Sequence, residues 1–141
     1  MKTKFSELLK VRKQKLSEIE RELADKQSQR TVLQEQVAQI SGRIAAYTLP
    51  QSGSYTAMQV ALGKKAYLFR DKEHKENMIK YFDQEIKNLN ILYKEATIAY
   101  EKIKHLHERE VAEIVAEKLR QEAKEMDEIA GQLFYRHQTG S

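Results

Sequence analysis

The sequence lacks cysteine and tryptophan, and it contains only one proline, Pro50, and five glycines among its 141 residues. Without cysteine there is neither a disulfide nor a thiolate metal site, which fits a cytoplasmic protein. No apolar run reaches the length of about 18 residues that predicts a membrane-spanning helix. Residues 1–15 contain no uninterrupted apolar stretch after their first charges, so they do not predict a secretory signal.

The composition that remains is 33% charged and 40% hydrophobic, rich in Leu, Ala, Glu, Lys, Gln and Ile. This profile predicts long helices or coiled coil rather than a wide globular core. The net charge of +4 is uneven, because residues 2–15 hold six basic side chains and one acid, Glu7. Such a basic end suits nucleic acid, anionic lipid or an acidic protein surface, or it is a solvated helix face.

The chain is organised around a break at residues 48–56, TLPQSGSYT. Pro50 fixes φ and lacks an N–H, and Gly53 admits positive φ, so the segment predicts a turn between two helices. Thr56 with Gln59 three residues later resembles a capping box that restarts the helix.

Apolar residues before the break recur in steps of three and four, which is the condition for a coiled-coil seam. The two interleaved series are Phe5, Arg12, Ile19, Lys26, Leu33, Ile40, Tyr47 and Leu9, Leu16, Leu23, Arg30, Val37, Ile44. Three basic residues interrupt the seam, and their long side chains can reach outward from such positions. After the break the seam runs through Ile79, Phe82, Ile86, Leu89, Tyr93, Ala96, Tyr100 and Ile103, and then its phase slips.

We therefore predict an all-α fold in which two long helices form an antiparallel coiled-coil hairpin, the second helix being longer. The single domain spans 1–141, with helix one at about 5–47, the turn at about 48–56 and helix two at about 57–134, where Gly131 serves as a stop. A flexible tail follows over 135–141. Folding about the turn places Phe5 near Ala99 and leaves an apolar stripe unpaired from about 101 to 134. An unpaired stripe predicts a partner, so the chain is expected to work by binding.

No residue pattern predicts catalysis, a cofactor or a metal site. His105 and His107 are two residues apart, which places them on different faces of a helix. The acidic residues alternate with lysines as on a solvated helix face, and the glycines are isolated. A nucleic-acid role is disfavoured, because the basic run at 10–15 is bracketed by the seam residues Leu9 and Leu16.

Three short motifs resemble the FliJ family, the small coiled-coil component of the bacterial flagellar type III export apparatus. They are KFSELLKVR at 4–12, LHER at 106–109 and KEMDEIA at 124–130. The length and the hairpin layout are also similar over essentially the whole chain. The resemblance implies a non-enzymatic stalk, like the central subunit of rotary ATPases, whose paired termini enter a hexameric ring.

The partners that the resemblance implies are the hexameric export ATPase, FliI, the export gate protein, FlhA, and export chaperones that the stalk escorts. It implies a cytoplasmic location, peripheral at the inner membrane face of the flagellar base. The implied contacts with the ATPase ring are Leu9, Leu16, Met126, Asp127, Ile129 and Leu133. The implied contacts with the gate, by position near the turn, are Tyr47, Tyr55 and Phe69.

Three alternatives remain open at the level of sequence. The chain is also compatible with the equivalent stalk of a virulence type III secretion system, although the terminal motif favours the flagellar one. A self-associating structural coiled coil would pair the unpaired stripe with another copy and form a stable dimer or tetramer. A basic nucleic-acid adaptor would show an affinity that falls steeply with salt.

Overall fold

A computed structural model describes residues 1–50 and 53–139. It contains two helices, α1 from Ser6–Ala46 and α2 from Tyr55–Thr139, of 41 and 85 residues. The described residues include no strand. The helices pack against each other as a hairpin with the second helix longer, so the predicted all-α fold class is confirmed.

The chain divides into two compact units. The first, here called the terminal unit, combines Met1–Lys15 with Ala96–Ser141, and the second, the turn unit, is Leu16–Glu95. Each unit therefore contains part of both helices. Of the predicted turn, Gln51 and Ser52 lie outside the described residues, as do Gly140 and Ser141 of the predicted tail.

The first helix begins with a local hydrogen-bond network at Thr3. The Thr3 amide donates to Ser6 Oγ at 2.8 Å, and the Ser6 amide donates to the Thr3 carbonyl at 3.1 Å. Thr3 Oγ1 in turn accepts the Phe5 amide at 3.1 Å. These bonds satisfy amide groups that have no partner within the helix, so they fix where α1 starts.

The second helix begins two residues earlier than predicted, and its cap is Ser54. Ser54 Oγ accepts the Ala57 amide at 3.2 Å, which is the bond of an N-cap residue to the third helical position. The predicted capping box at Thr56 is wrong, since Gln59 donates instead to the Tyr55 hydroxyl at 2.9 Å. Gly53 precedes the cap with a φ of 146°, the only positive φ in the described residues. A glycine is needed there because L side chains rarely adopt that conformation.

The second helix also runs further than predicted, to Thr139, so the expected stop at Gly131 and the tail from 135 are wrong up to that residue. A glycine inside a helix costs only about 1 kcal/mol relative to alanine, and the surrounding helix formers outweigh it. Arg136 and His137 lie in the last turn, where cations interact favourably with the helix dipole.

The core is thin and lies entirely in the turn unit. Its eight buried residues are Ile19, Leu23, Leu33, Ile40, Ala61, Phe82, Ile86 and Leu89. No described side chain is less than 2% exposed, as expected when two helices share one seam with solvent on both sides. The predicted seam is confirmed. Before the turn, every predicted seam residue is buried or half-buried except Arg12. After the turn, so is every one of the eight seam residues named from Ile79 to Ile103.

Two of the three basic residues within the seam, Lys26 and Arg30, contact residues of α2. Lys26 Nζ lies 5.6 Å from the centroid of the Phe82 ring, a cation–π contact. Arg30 Nε lies 2.8 Å from Asp83 Oδ1, although its N–H bond is not aligned on that oxygen and the contact is an ion pair only. Long side chains at these positions thus reach out of the seam while their stems remain in it.

In the terminal unit the register differs from the prediction. Thr3 Oγ1 lies 2.9 Å from His107 Nδ1, and Lys4 Nζ lies 4.0 Å from Glu110 Oε2. The start of the chain therefore pairs with residues 107–110 rather than with Ala99. The contacts of Lys26 with Phe82 and of Arg30 with Asp83 depart from the predicted register in the same direction, since it would place residues 78 and 74 opposite these two cations.

The seam continues past Ile103, and Val111 of the predicted slip is half-buried, as Glu110 is. Tyr100, Ile103, His107 and Glu110 keep the spacing of three and four, and all four are half-buried. Two polar residues thus occupy seam positions, where they meet Thr3 and Lys4. The apolar pattern changes phase only beyond Glu110.

Candidate partner-binding surfaces

The part of α2 from residue 112 to 139, here called the C-terminal arm, is exposed at every described position. At a rise of 1.5 Å per residue the arm is about 42 Å long. The unpaired stripe was predicted from residue 101, so the structure shortens it by about three helical turns. The arm nevertheless remains a continuous helix up to Thr139.

The arm carries large apolar side chains that are strongly exposed to solvent. The set is Ile114, Val115, Leu119, Met126, Ile129, Leu133, Phe134 and Tyr135, from 39% to 68% exposed. Val115, Leu119, Met126, Ile129 and Leu133 fall at seam spacing, and Glu122 fills the one gap. In the turn unit, the predicted seam residues at the same spacing are buried or half-buried. A seam without a second helix is a surface that a partner can cover.

The six residues implied to contact an ATPase ring do not form one surface. Met126, Asp127, Ile129 and Leu133 lie together on the arm and are exposed. Leu9 is half-buried in the seam of the terminal unit, and Leu16 is half-buried in the turn unit. Since Thr3 pairs with His107, Leu9 is separated from Met126 by about 25 residues of rise, on the order of 38 Å.

A groove lies between the helices near the turn and has a volume of about 770 Å³. Its lining is Arg43, Ala46, Tyr47, Val60, Gly63, Lys64, Tyr67 and Leu68. The lining is mainly apolar and aromatic, and its two charged residues are both cations. A Cβ added at Gly63 would meet no atom within 4 Å, so the absence of a side chain there leaves the groove open.

The residues implied to contact the export gate divide between two faces. Tyr47 is half-buried and lines the groove, whereas Tyr55 and Phe69 are 77% and 50% exposed and do not line it. Leu62, 48% exposed, falls midway between Tyr55 and Phe69 at seven-residue steps. Sequence reasoning missed Leu62, Val60 and Gly63 as surface candidates. Extending the heptad count back to Tyr55 would have found Leu62.

The described residues hold no group of three or more His, Asp or Glu side chains arranged to bind a metal ion. Within residues 1–50 and 53–139, neither helix contains a segment that is long and apolar enough to cross a membrane.

A model of the family described as "Flagellar FliJ protein" matches residues 1–139. The chain belongs to the FliJ family. It is therefore a component of the flagellar type III export apparatus, in a family known as a structural part of that apparatus and not as an enzyme. The comparison with curated proteins and the comparison with solved structures give no match. The match spans both helices of this FliJ-family chain, from Met1 to Thr139.

Proposed function

We propose that this FliJ-family chain is the stalk that joins the hexameric export ATPase to the export gate. The C-terminal arm contacts the ATPase ring, and the end that carries the turn contacts the gate protein. The chain acts in the cytoplasm, at the inner membrane face of the flagellar base. Escort of export chaperones belongs to the same proposal, although no described surface is specific to it.

The observation that carries the proposal is the exposed apolar seam of the arm. Burying one Leu, Ile or Met side chain stabilises a complex by about 1.5–3 kcal/mol. Leu119, Met126, Ile129 and Leu133 share one face of the helix, so a ring that encloses the arm could bury all four. Their sum, about 6–12 kcal/mol, is of the same order as the entropy cost of association, which is about 4–15 kcal/mol. The flanking acids Asp127 and Glu128 would add charge pairing with a basic ring surface.

A stable homodimer rests on the same observation and is the second candidate. Two arms can pair their seams as readily as one arm can enter a ring. The two candidates differ in what the isolated protein does, because a stalk stays monomeric until the ATPase is present. A self-associating coiled coil dimerises even when dilute.

The first experiment measures ATP hydrolysis by a purified flagellar export ATPase, with and without this protein, at matched salt. We expect stimulation of hydrolysis together with ring formation, while light scattering shows the free protein as a monomer. Under this proposal hydrolysis rises because an arm that enters the ring binds the assembled hexamer and so favours it over free subunits. Unchanged hydrolysis combined with a tight homodimer would reject the stalk and favour self-association.

A second experiment addresses the contact at the turn. We expect Gly63→Trp to weaken binding to the purified export gate protein by tenfold or more, because the indole fills the groove where no atom lies within 4 Å of the new Cβ. Gly131→Trp is the matched control, since this second helical glycine also faces open space, but on the arm. Binding is measured by surface plasmon resonance, and circular dichroism checks that both variants keep their helix content. Equal affinity of wild type and Gly63→Trp would place the gate contact outside the groove.

A further inference from the structure

Residues 2–15, which include the first turns of α1, carry an exposed basic surface that the proposed partners do not use. Six cations lie between residues 2 and 15, and all are exposed; they are Lys2, Lys4, Lys10, Arg12, Lys13 and Lys15. Among the described residues, Lys4 is the only one of these with an acidic partner, Glu110 at 4.0 Å. The Lys4 side chain is itself 75% exposed, so this contact leaves most of its charge in solvent.

One face of this segment combines cations with aliphatic side chains. Leu8, Val11 and Lys15 follow one another at steps of three and four, which places them on one side of α1, and Lys4 lies two residues before the helix begins. Arg12 lies one turn after Leu8 and is the seam position that remains exposed. Leu8 and Val11 are 39% and 56% exposed. We call these five residues the basic face.

We propose that the basic face binds the surface of a membrane that contains anionic lipids. Cations next to such a surface are attracted by its negative potential, and the attraction adds up over several lysines. Leu8 and Val11, exposed between Lys4 and Lys15, can enter the boundary between headgroups and acyl chains. The bound state is peripheral, because two aliphatic side chains do not insert a helix.

Two features favour lipid over the other anionic partners. Five of the six cations are lysines, which act as point charges, whereas recognition of single phosphates in nucleic acid favours the bidentate arginine. Nucleic-acid surfaces without sequence preference also use exposed aromatic side chains, on which bases stack. The one aromatic residue of the segment, Phe5, is half-buried, and Lys4 Nζ lies 5.3 Å from its ring centroid.

The basic face does not overlap the surface proposed for the ATPase ring. Its residues lie between Lys4 and Lys15, whereas Met126, Ile129 and Leu133 lie on the arm. The inference is thus independent of the proposed function, and lipid binding is measured without the ATPase or the gate.

The test is sedimentation of the full chain with vesicles of phosphatidylcholine alone or of phosphatidylcholine with a minority of phosphatidylglycerol. We expect binding only to the vesicles with phosphatidylglycerol, falling steeply as salt rises. Removing three cations in Lys4→Gln/Arg12→Gln/Lys15→Gln should lower the partition coefficient by about a hundredfold, since each cation near the surface contributes about fivefold. Leu8→Ser/Val11→Ser should weaken binding most at high salt, where the charge attraction is screened.

The matched control is Lys118→Gln/Arg120→Gln/Lys124→Gln, which removes the same charge from the exposed arm. A loss of binding equal to that of the basic-face variant would overturn the proposal, because net charge alone would then explain it. Equal binding to both kinds of vesicle would also overturn it. So would tighter binding to duplex DNA in the same buffer, or release from the vesicles by inorganic phosphate at constant ionic strength. Circular dichroism confirms that each variant remains helical.

Discussion

Phe82→Ala is expected to lower the free energy of unfolding by about 3 kcal/mol. Phe82 is the largest residue of the core, 8% exposed, and lies in the turn unit beside Ile86 and Leu89. Truncation removes its packing in the seam, its cation–π contact with Lys26 and its edge contact with Tyr81, whose ring centroid is 5.6 Å away. The value lies at the lower end for Phe→Ala changes, because a seam open to solvent on both sides lets water enter the space.

Urea denaturation followed by circular dichroism at the helix band measures this change. The control is Phe134→Ala, since Phe134 is 65% exposed on the arm. A substitution at such a position should alter the free energy of unfolding by no more than about 0.5 kcal/mol. Similar losses for the two variants would mean that Phe82 does not belong to a buried seam.

Met126→Asp/Leu133→Asp is expected to abolish stimulation of the export ATPase while leaving stability unchanged. Met126 and Leu133 are 67% and 59% exposed, so the folded protein loses no packing when they are replaced. A contact that buries both residues in the ring would instead have to bury two carboxylates without partners, which costs several kcal/mol each. The measurement is hydrolysis as a function of added protein, together with urea denaturation of the variant.

Val32→Asp is the matched control for this pair. Val32 is 49% exposed on α1 and belongs to none of the proposed surfaces, so stimulation should persist. If Met126→Asp/Leu133→Asp still stimulated hydrolysis, the arm would not be the surface that contacts the ring. Leu16→Asp is a poorer probe, because Leu16 is half-buried in the seam and its replacement disturbs the pairing of the helices.

The seam was predictable from sequence because burial in a two-helix protein follows a simple period. Ile19, Leu33 and Phe82 lie where that period puts them, and even Lys26 and Arg30 keep it by reaching outward. The exposed arm was predictable for the same reason, since one helix is visibly longer than the other. Membership in the FliJ family was indicated by short motifs at both ends of the chain.

The register and the helix ends were not predictable in the same way. The helix ends depend on single hydrogen bonds, such as that of Ser54 with Ala57, and the register depends on how the two helices pack along their length. A period count treats His107 and Glu110 as breaks, although they occupy seam positions and contact the first residues of the chain. Likewise, the groove near Gly63 arises from how closely the two helices approach each other. The spacing of residues along the sequence carries no information about that distance. The roles of the candidate contact residues are not tested by the fold and stay predictions.

The distribution of burial along the hairpin has a consequence for how it opens. All eight buried residues lie in the turn unit, whereas the start of α1 is held in the terminal unit by half-buried side chains and a few polar contacts. Local opening requires little free energy where few apolar contacts must separate. Amide exchange should therefore be fastest for residues 1–15 and the arm and slowest around Phe82 and Leu89. If a ring closes on the arm as proposed, it can displace the first turns of α1 without unfolding the turn unit.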